Sequence, residues 1–301
     1  MRRFPFVTMD VFTDRQFGGN PLAVFTAAEG LSGSAMQELA AEMNLSETTF
    51  VLPPVEPDST ARVRIFNRTA EMPFAGHPSL GTAVVLAQAL PGLDVVRLDL
   101  PAGLTTVEVR RDASGQPVGG VVAAPQPLSV GEIFPAEEIA ACASLDPGDL
   151  LQHAHPPVLA STGNSYVIAQ VAEGALGRAR PDPEAFARSA AARPHLAGRL
   201  SLHLYTASGD HLRARMFAPL AGTFEDPATG SANAPLAGLL LSLRPGEASL
   251  STVVVQGVEM GRPSLLEVTA SRSSEGIRTT VGGGCVPVLR GEALLREGAS
   301  G

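Results

Sequence analysis

Ala75-Gly76-His77-Pro78-Ser79-Leu80-Gly81-Thr82-Ala83-Val84-Val85-Leu86 opens on a glycine and continues as an apolar helix, predicted over His77–Leu90 with Pro78 favourably placed in its first turn. Thr229-Gly230-Ser231-Ala232 opens a second apolar helix in the same way, predicted over Gly230–Leu243 and 154 residues further on. A second pair of landmarks has nearly the same offset. Gly19-Asn20-Pro21 runs into Leu22-Ala23-Val24-Phe25, and 144 residues later Gly163-Asn164-Ser165 runs into Tyr166-Val167-Ile168-Ala169. Gly-Asn before a strand is common turn chemistry and means little once. Two pairs in the same order, each near half of a 301-residue chain, point to duplication. The offsets are far longer than solenoid repeats, so the reading is two homologous domains. Chain length independently favours two cores over one.

The glycine starts acquire a role from this pairing. Each places backbone N–H groups and the positive end of a helix dipole, roughly half a charge, at the mouth of its domain. If the halves face each other, two such ends converge on one cleft and can hold a carboxylate. Each contact is worth only about 0.3–1 kcal/mol, or ~2 when partly buried, so side chains must supply the rest.

Strands and helices mix without a βαβ rhythm. Val7–Phe12 and Pro21–Phe25 read as strands around a turn at Gly18-Gly19-Asn20. Ser34 and Gln37 have capping-box spacing, and Met36, Leu39, Ala40 and Met43 repeat with helical period up to a terminator at Asn44. Thr48–Leu52 and Arg62–Phe66 read as strands, and Leu98–Leu100 with Leu104–Arg111 extend the sheet. Pro125–Val130 reads as a linker, after which similar grammar restarts. It runs through a helix at Ala136–Ala143, strands at Val158–Ala160 and Tyr166–Val171, a helix at Pro183–Ala191, and strands at Leu202–Thr206 and Leu212–Phe217.

The formal charge of −8 argues against nucleic acid or an anionic membrane as partner, since both need a basic surface. All 22 basic residues are arginine, which excludes a pyridoxal Schiff base, lysine imine chemistry and a P-loop lysine. Cys142 and Cys285 stand in unrelated contexts, suggest neither a disulfide nor a zinc site, and fit a reducing cytosol. No signal-like or membrane-length segment is seen, so a cytoplasmic protein is expected. His153-Ala154-His155 would form a metal pair on a strand, but no third ligand is signalled and Pro156-Pro157 follows, so a surface loop is expected there. His195, His203 and His211 carry no signal singly. Ser231, His77 and Asp226 contain the residue types of a hydrolase triad, but Ser231 lacks the Gly-x-Ser-x-Gly elbow.

Glu47 occupies the junction between a helix and a strand. Alone it reads as an ordinary loop carboxylate. Shielded by Leu45 and Phe50, it would be suited to taking and returning a proton, a service worth about 10²–10⁴ in rate.

Several blocks together resemble the PhzF family, which is named for the isomerase of phenazine biosynthesis and related in fold to diaminopimelate epimerase. They are Gly19–Phe25, Met43-Asn44-Leu45-Ser46-Glu47-Thr48-Thr49-Phe50-Val51, Met72-Pro73-Phe74-Ala75-Gly76-His77-Pro78, Met216–Pro219, Glu225-Asp226-Pro227-Ala228-Thr229-Gly230-Ser231-Ala232, and Gln256–Ser264. They span most of the chain in family order. The resemblance implies an α+β fold of two similar domains, each a mixed β-barrel around a central helix, with the active site in the interdomain cleft. The domains would be 1–125 plus 283–301, and 126–282, with homodimers usual in the family.

By motif, Glu47 would be the catalytic acid/base, with His77 and Asp226 as its catalytic companions. Asn20, Gly76, Thr229, Gly230 and Ser231 would bind substrate. No cofactor and no metal are implied. The expected activity is a proton shift within a small unsaturated carboxylic acid, as in trans-2,3-dihydro-3-hydroxyanthranilate isomerase. A non-catalytic binder of small acids is the alternative. A two-cysteine racemase is disfavoured, because Ala75, Ala228 and Thr229 stand where related racemases carry cysteines. Asn67-Arg68 departs from the Thr-Pro-like turn frequent in the family, so substrate scope can differ there.

Overall fold

The structure, a computed structural model, describes residues 1–296; residues 297–301, assigned above to the first domain, lie outside the described residues. By contacts the chain divides into two compact units. One comprises Met1–Ala123 and the chain from Gly282 onward, the other Ala124–Val281.

The first unit contains β1 (Arg2–Val11), β2 (Asn20–Phe25), α1 (Gly33–Met43), β3 (Glu47–Leu52), β4 (Ala61–Phe66), β5 (Glu71–Met72), α2 (Gly76–Ala89), β6 (Val95–Leu100), β7 (Gly103–Arg111) and β8 (Pro117–Ala123). The later part of β18 (Gly276–Leu295) joins them. Its pairing with both β1 and β8 closes a ring in the order β18, β1, β2, β3, β4, β6, β7, β8. β2 with β3 and β4 with β6 run parallel, while the pairs β1–β2, β3–β4, β6–β7 and β7–β8 are antiparallel. The barrel is closed and mixed, in an α+β fold.

α2 fills this barrel. It packs against β1, β2, β3, β6, β7 and β8, and is buried on nearly every side, which explains its largely apolar sequence. Gly81 marks the closest approach: a Cβ there would stand 2.6 Å from Leu22 Cδ2 and 2.8 Å from Val11 Cγ2. α1 covers the outer face, setting Met36 and Ala40 against Phe25, Phe50 and Phe66. Phe25 and Phe50 stack at 4.9 Å, and Phe66 meets Phe50 edge-on at 5.5 Å. Each such buried ring contributes roughly 1.5–3 kcal/mol. Covered on both faces, β2 and β3 are buried runs rather than alternating ones.

Two local expectations are corrected. α1 is capped by Ser32, whose hydroxyl accepts from the Ala35 N–H at 3.2 Å; Ser34 instead meets the Ser32 hydroxyl. β8 had no sequence counterpart because Gly119 and Gly120 depress strand propensity. Both are required there: a Cβ at Gly119 would lie 2.3 Å from the Gly283 carbonyl, and one at Gly120 2.6 Å from that of Glu108.

The second unit contains β9 (Ser129–Ile133), α3 (Ala136–Ala143), β10 (Leu150–Leu151), β11 (Val158–Ser161), β12 (Ser165–Val171), α4 (Glu173–Leu176), α5 (Pro183–Ala191), β13 (Leu202–Ser208), β14 (His211–Ala218), β15 (Thr223–Asp226), α6 (Gly230–Ser242), β16 (Ser249–Gln256) and β17 (Ser264–Ser273). Its pairings repeat those of the first unit in order: β11–β12 antiparallel, β12–β13 parallel, β13–β14 antiparallel, β14–β16 parallel and β16–β17 antiparallel. α6 takes the place of α2, buried against β11, β12, β16 and β17. α3 and α5 cover the other face of the sheet through Ile139, Cys142 and Phe186. The segment expected as a linker is itself tied in, since the Gln126 and Leu128 N–H groups donate to the Thr162 and Ile277 carbonyls at 3.1 and 2.8 Å.

Candidate active site

α1 ends where Asn44 turns into the left-handed region at φ 52°, and its N–H closes the helix on the Ala40 carbonyl. Three residues later Glu47 opens β3, in parallel register with Leu22 of β2. Alternation along a strand puts Glu47 and Thr49 on one face and Phe50 on the other. That first face looks onto α2: the Thr49 and Thr82 hydroxyls meet at 2.8 Å, and Glu47 Oε2 lies 3.3 Å from His77 Nε2. The carboxylate and the imidazole are thus held by a strand and a helix that are themselves locked together.

The state of His77 follows from its partners. The ring hydrogen-bonds the backbone of Pro21, which has no N–H, so the ring donates and the carbonyl accepts. Nε2 is buried and makes no hydrogen bond, so the donor is Nδ1. Nε2 therefore presents a lone pair to Glu47. Burial, only partly offset by the Pro21 bond, pushes the imidazole pKa from 6.5 down to about 3, and His77 is neutral at physiological pH.

In the second unit Asp226 ends β15 and is buried. Its Oδ2 accepts from the Thr229 hydroxyl at 2.5 Å. Thr229 is the cap residue of α6 yet gives the helix no side-chain cap. Ser231, in the first turn, shares a 2.6 Å hydrogen bond with the Tyr166 hydroxyl rather than with an imidazole, so the hydrolase triad has no support.

α2 likewise starts without a side-chain cap, behind Ala75. The Gly76 and His77 N–H groups precede its first helical bond, from Ser79 to the Ala75 carbonyl at 3.3 Å. A Cβ on Gly76 would meet nothing within 4 Å, so packing does not demand glycine there. Asn20 is fully buried at the start of β2, opposite Val11.

Of the expected residues, Glu47, His77, Gly76 and Asn20 belong to the first unit, with the His77–Pro21 bond lying next to Asn20. Asp226, Thr229, Gly230 and Ser231 belong to the second. Three further residues were given no site role from the sequence. His203, Asn233 and Gln256 are fully buried, and they join Thr229 and Asp226 in one hydrogen-bond chain. The available signal was Asn233, a lone amide four residues after Thr229 in an otherwise apolar helix.

The other candidates resolve differently. His155 is not on a surface loop: it is buried, with Nε2 bonded to the Tyr205 hydroxyl and Nδ1 to the Pro156 carbonyl, both at 2.7 Å. Among the described residues no group of three His, Cys, Asp or Glu side chains is arranged to hold a metal. Both cysteines are free and buried; burial pushes the Cys142 thiol up to about 12 and the Cys285 thiol higher still. Neither is a nucleophile at neutral pH. No helix among the described residues is long and apolar enough to cross a membrane.

The first unit is thus a closed mixed barrel threaded by a buried helix, with a carboxylate–imidazole contact at that helix's first turn. The chain belongs to the phenazine biosynthesis-like family, PhzC-PhzF, whose model matches residues 9–291. It is 37% identical over 296 residues to the trans-2,3-dihydro-3-hydroxyanthranilate isomerase of Pseudomonas aeruginosa, covering 96% of this chain and 99% of that protein. Its fold matches the PhzF-family phenazine biosynthesis protein of Bacillus anthracis with a TM-score of 0.87 at 25% identity, over 98% of this chain and 100% of the other. A Pseudomonas aeruginosa protein described as a predicted epimerase matches with a TM-score of 0.81 at 31% identity, over 97% and 100% of the two chains. The chain is an isomerase of the PhzF type.

Proposed function

We propose that this enzyme moves a proton within a small unsaturated carboxylic acid, with Glu47 as the group that takes and returns it. The observation that carries the reading is the 3.3 Å contact between Glu47 Oε2 and His77 Nε2, in which the imidazole offers only a lone pair. When Glu47 takes a proton from substrate carbon, the new O–H can donate to Nε2. A hydrogen bond to the neutral form favours the carboxyl over the carboxylate and makes Glu47 a better base than an exposed glutamate. His77, with its pKa near 3, does not take that proton for itself. Glu47 keeps it for return to a second carbon.

The uncapped N–H groups of Gly76 and His77 are suited to the substrate carboxylate, and the open space before Gly76 supports a close approach. Asp226, held by Thr229, would accept from a hydroxyl or ammonium of the substrate. The name of the Pseudomonas aeruginosa relative makes trans-2,3-dihydro-3-hydroxyanthranilate the first compound to try. Incubation with it and with other small unsaturated acids in deuterated water tests the reading. Isomerised product carrying solvent deuterium supports it; tight binding with neither isomerisation nor exchange would favour the binder instead.

A further inference from the structure

The hydrogen bonds behind Asp226 have a direction that can be read atom by atom. The Gln256 side-chain amide donates to the Asp226 carbonyl at 2.8 Å and to Thr229 Oγ1 at 3.0 Å, which uses both of its protons. Because Thr229 Oγ1 accepts there, its own proton is left for Asp226 Oδ2. Gln256 Oε1 accepts from the Thr229 N–H at 3.2 Å and from Asn233 Nδ2 at 2.8 Å. Asn233 Nδ2 spends its second proton on the Thr229 carbonyl at 3.0 Å. Asn233 Oδ1 must then accept, and it faces His203 Nε2 at 3.0 Å. His203 therefore carries its proton on Nε2, while its buried Nδ1 makes no hydrogen bond. No amide can be flipped without setting two donors or two acceptors against each other.

We propose that Gln256 is a positioning residue for the reaction: backed by Asn233 and His203, it commits the Thr229 proton to Asp226 and so fixes the carboxylate that meets the substrate. A network built only for stability needs no particular direction. Here each side-chain donor leads toward Thr229 and Asp226, and the cap residue of α6 is diverted from its ordinary capping duty to serve them. The bare Nδ1 of His203 is the cost of that polarity, since a ring with its proton on Nδ1 would turn its other lone pair against Asn233 Oδ1. The proposal rests on Asp226 acting in the site, as set out above.

Gln256→Glu keeps the shape but replaces a donor by an acceptor, so the Thr229 hydroxyl can turn from Asp226 to residue 256. The expected result is a fall in kcat of about tenfold to a hundredfold, as for a misplaced catalytic group, with KM within about threefold. Thr229→Val should give a similar loss, and the double variant should be no worse than Thr229→Val alone. Additive losses, or an unchanged kcat in Gln256→Glu, would overturn the proposal. Asp226→Asn separates the two levels: if it leaves kcat intact, the role of Asp226 fails; if it lowers kcat while Gln256→Glu does not, positioning alone fails. One measurement needs no variant to fold. Nitrogen NMR of the wild-type protein should show His203 as the neutral Nε2–H tautomer at pH 7, and the Nδ1–H tautomer or a charged ring would contradict the assigned direction.

Discussion

Glu47 Oε2 and His77 Nε2 face each other at 3.3 Å, and the imidazole has already committed its only proton to the Pro21 carbonyl. Two acceptors so placed are reconciled by one proton between them. On the proposed mechanism the histidine is the acceptor for the acid form of Glu47.

His77→Gln tests that assignment. A glutamine amide can donate to Glu47, which favours the carboxylate instead of the acid. We expect kcat to fall about tenfold to a hundredfold, and the acidic limb of the kcat/KM profile to move to lower pH. A limb that stays in place or moves upward would contradict the acceptor role.

Acid stability follows from two buried histidines. His77 and His203 fall from 6.5 to about 3 and about 4 in the folded protein, because burial disfavours their charged forms. Below pH 6.5 the unfolded chain takes up protons that the folded chain refuses, so their contribution is complete above that value and is lost as pH falls toward 4 and then 3. Within the window each histidine adds a slope of about 1.4 kcal/mol per pH unit. Urea unfolding of His203→Gln between pH 7 and pH 5 should show a shallower slope than wild type, whatever its absolute stability.

Thiol chemistry separates this enzyme from two-cysteine racemases. Cys142 lies on the buried face of α3, and Cys285 pairs with Val11 in the barrel wall. Iodoacetamide at pH 7.5 should leave native protein unmodified and fully active, and label both residues after denaturation. Rapid loss of activity with stoichiometric labelling would contradict the assignment.

Two glycines of α2 should behave oppositely. Gly81→Ala drives a methyl into Leu22 and Val11 and should cost about 1–3 kcal/mol of stability. Gly76→Ala meets open space, so the melting temperature should hold while KM for the acid substrate rises, because the methyl would intrude where we propose the carboxylate approaches. Thermal melts and steady-state kinetics of the two variants check both outcomes.

The helices α2 and α6 were legible because their signals are local, a glycine start and an apolar run, and the junction between a helix and a strand at Glu47 was legible for the same reason. β8 was not, since its glycines are set by backbones crossing at contact distance, information held by Gly283 and Glu108 rather than by the strand itself. The helix start was misread for a similar reason, as Ser32 and Ser34 offer the same chemistry and only geometry chooses between them. The chain behind Asp226 joins His203, Asn233 and Gln256 from a strand, a helix and another strand, and no spacing rule connects them. His155 was expected on a surface loop, whereas it is buried against Tyr205, fifty residues away.

Glu47 is the residue we propose to carry the proton. The most direct test is solvent deuterium entering trans-2,3-dihydro-3-hydroxyanthranilate, or whichever acid proves to be turned over, with wild-type enzyme and with Glu47→Gln. We predict incorporation by wild type and a loss of at least about a hundredfold in the variant, with folding intact. Undiminished exchange in Glu47→Gln would contradict the account.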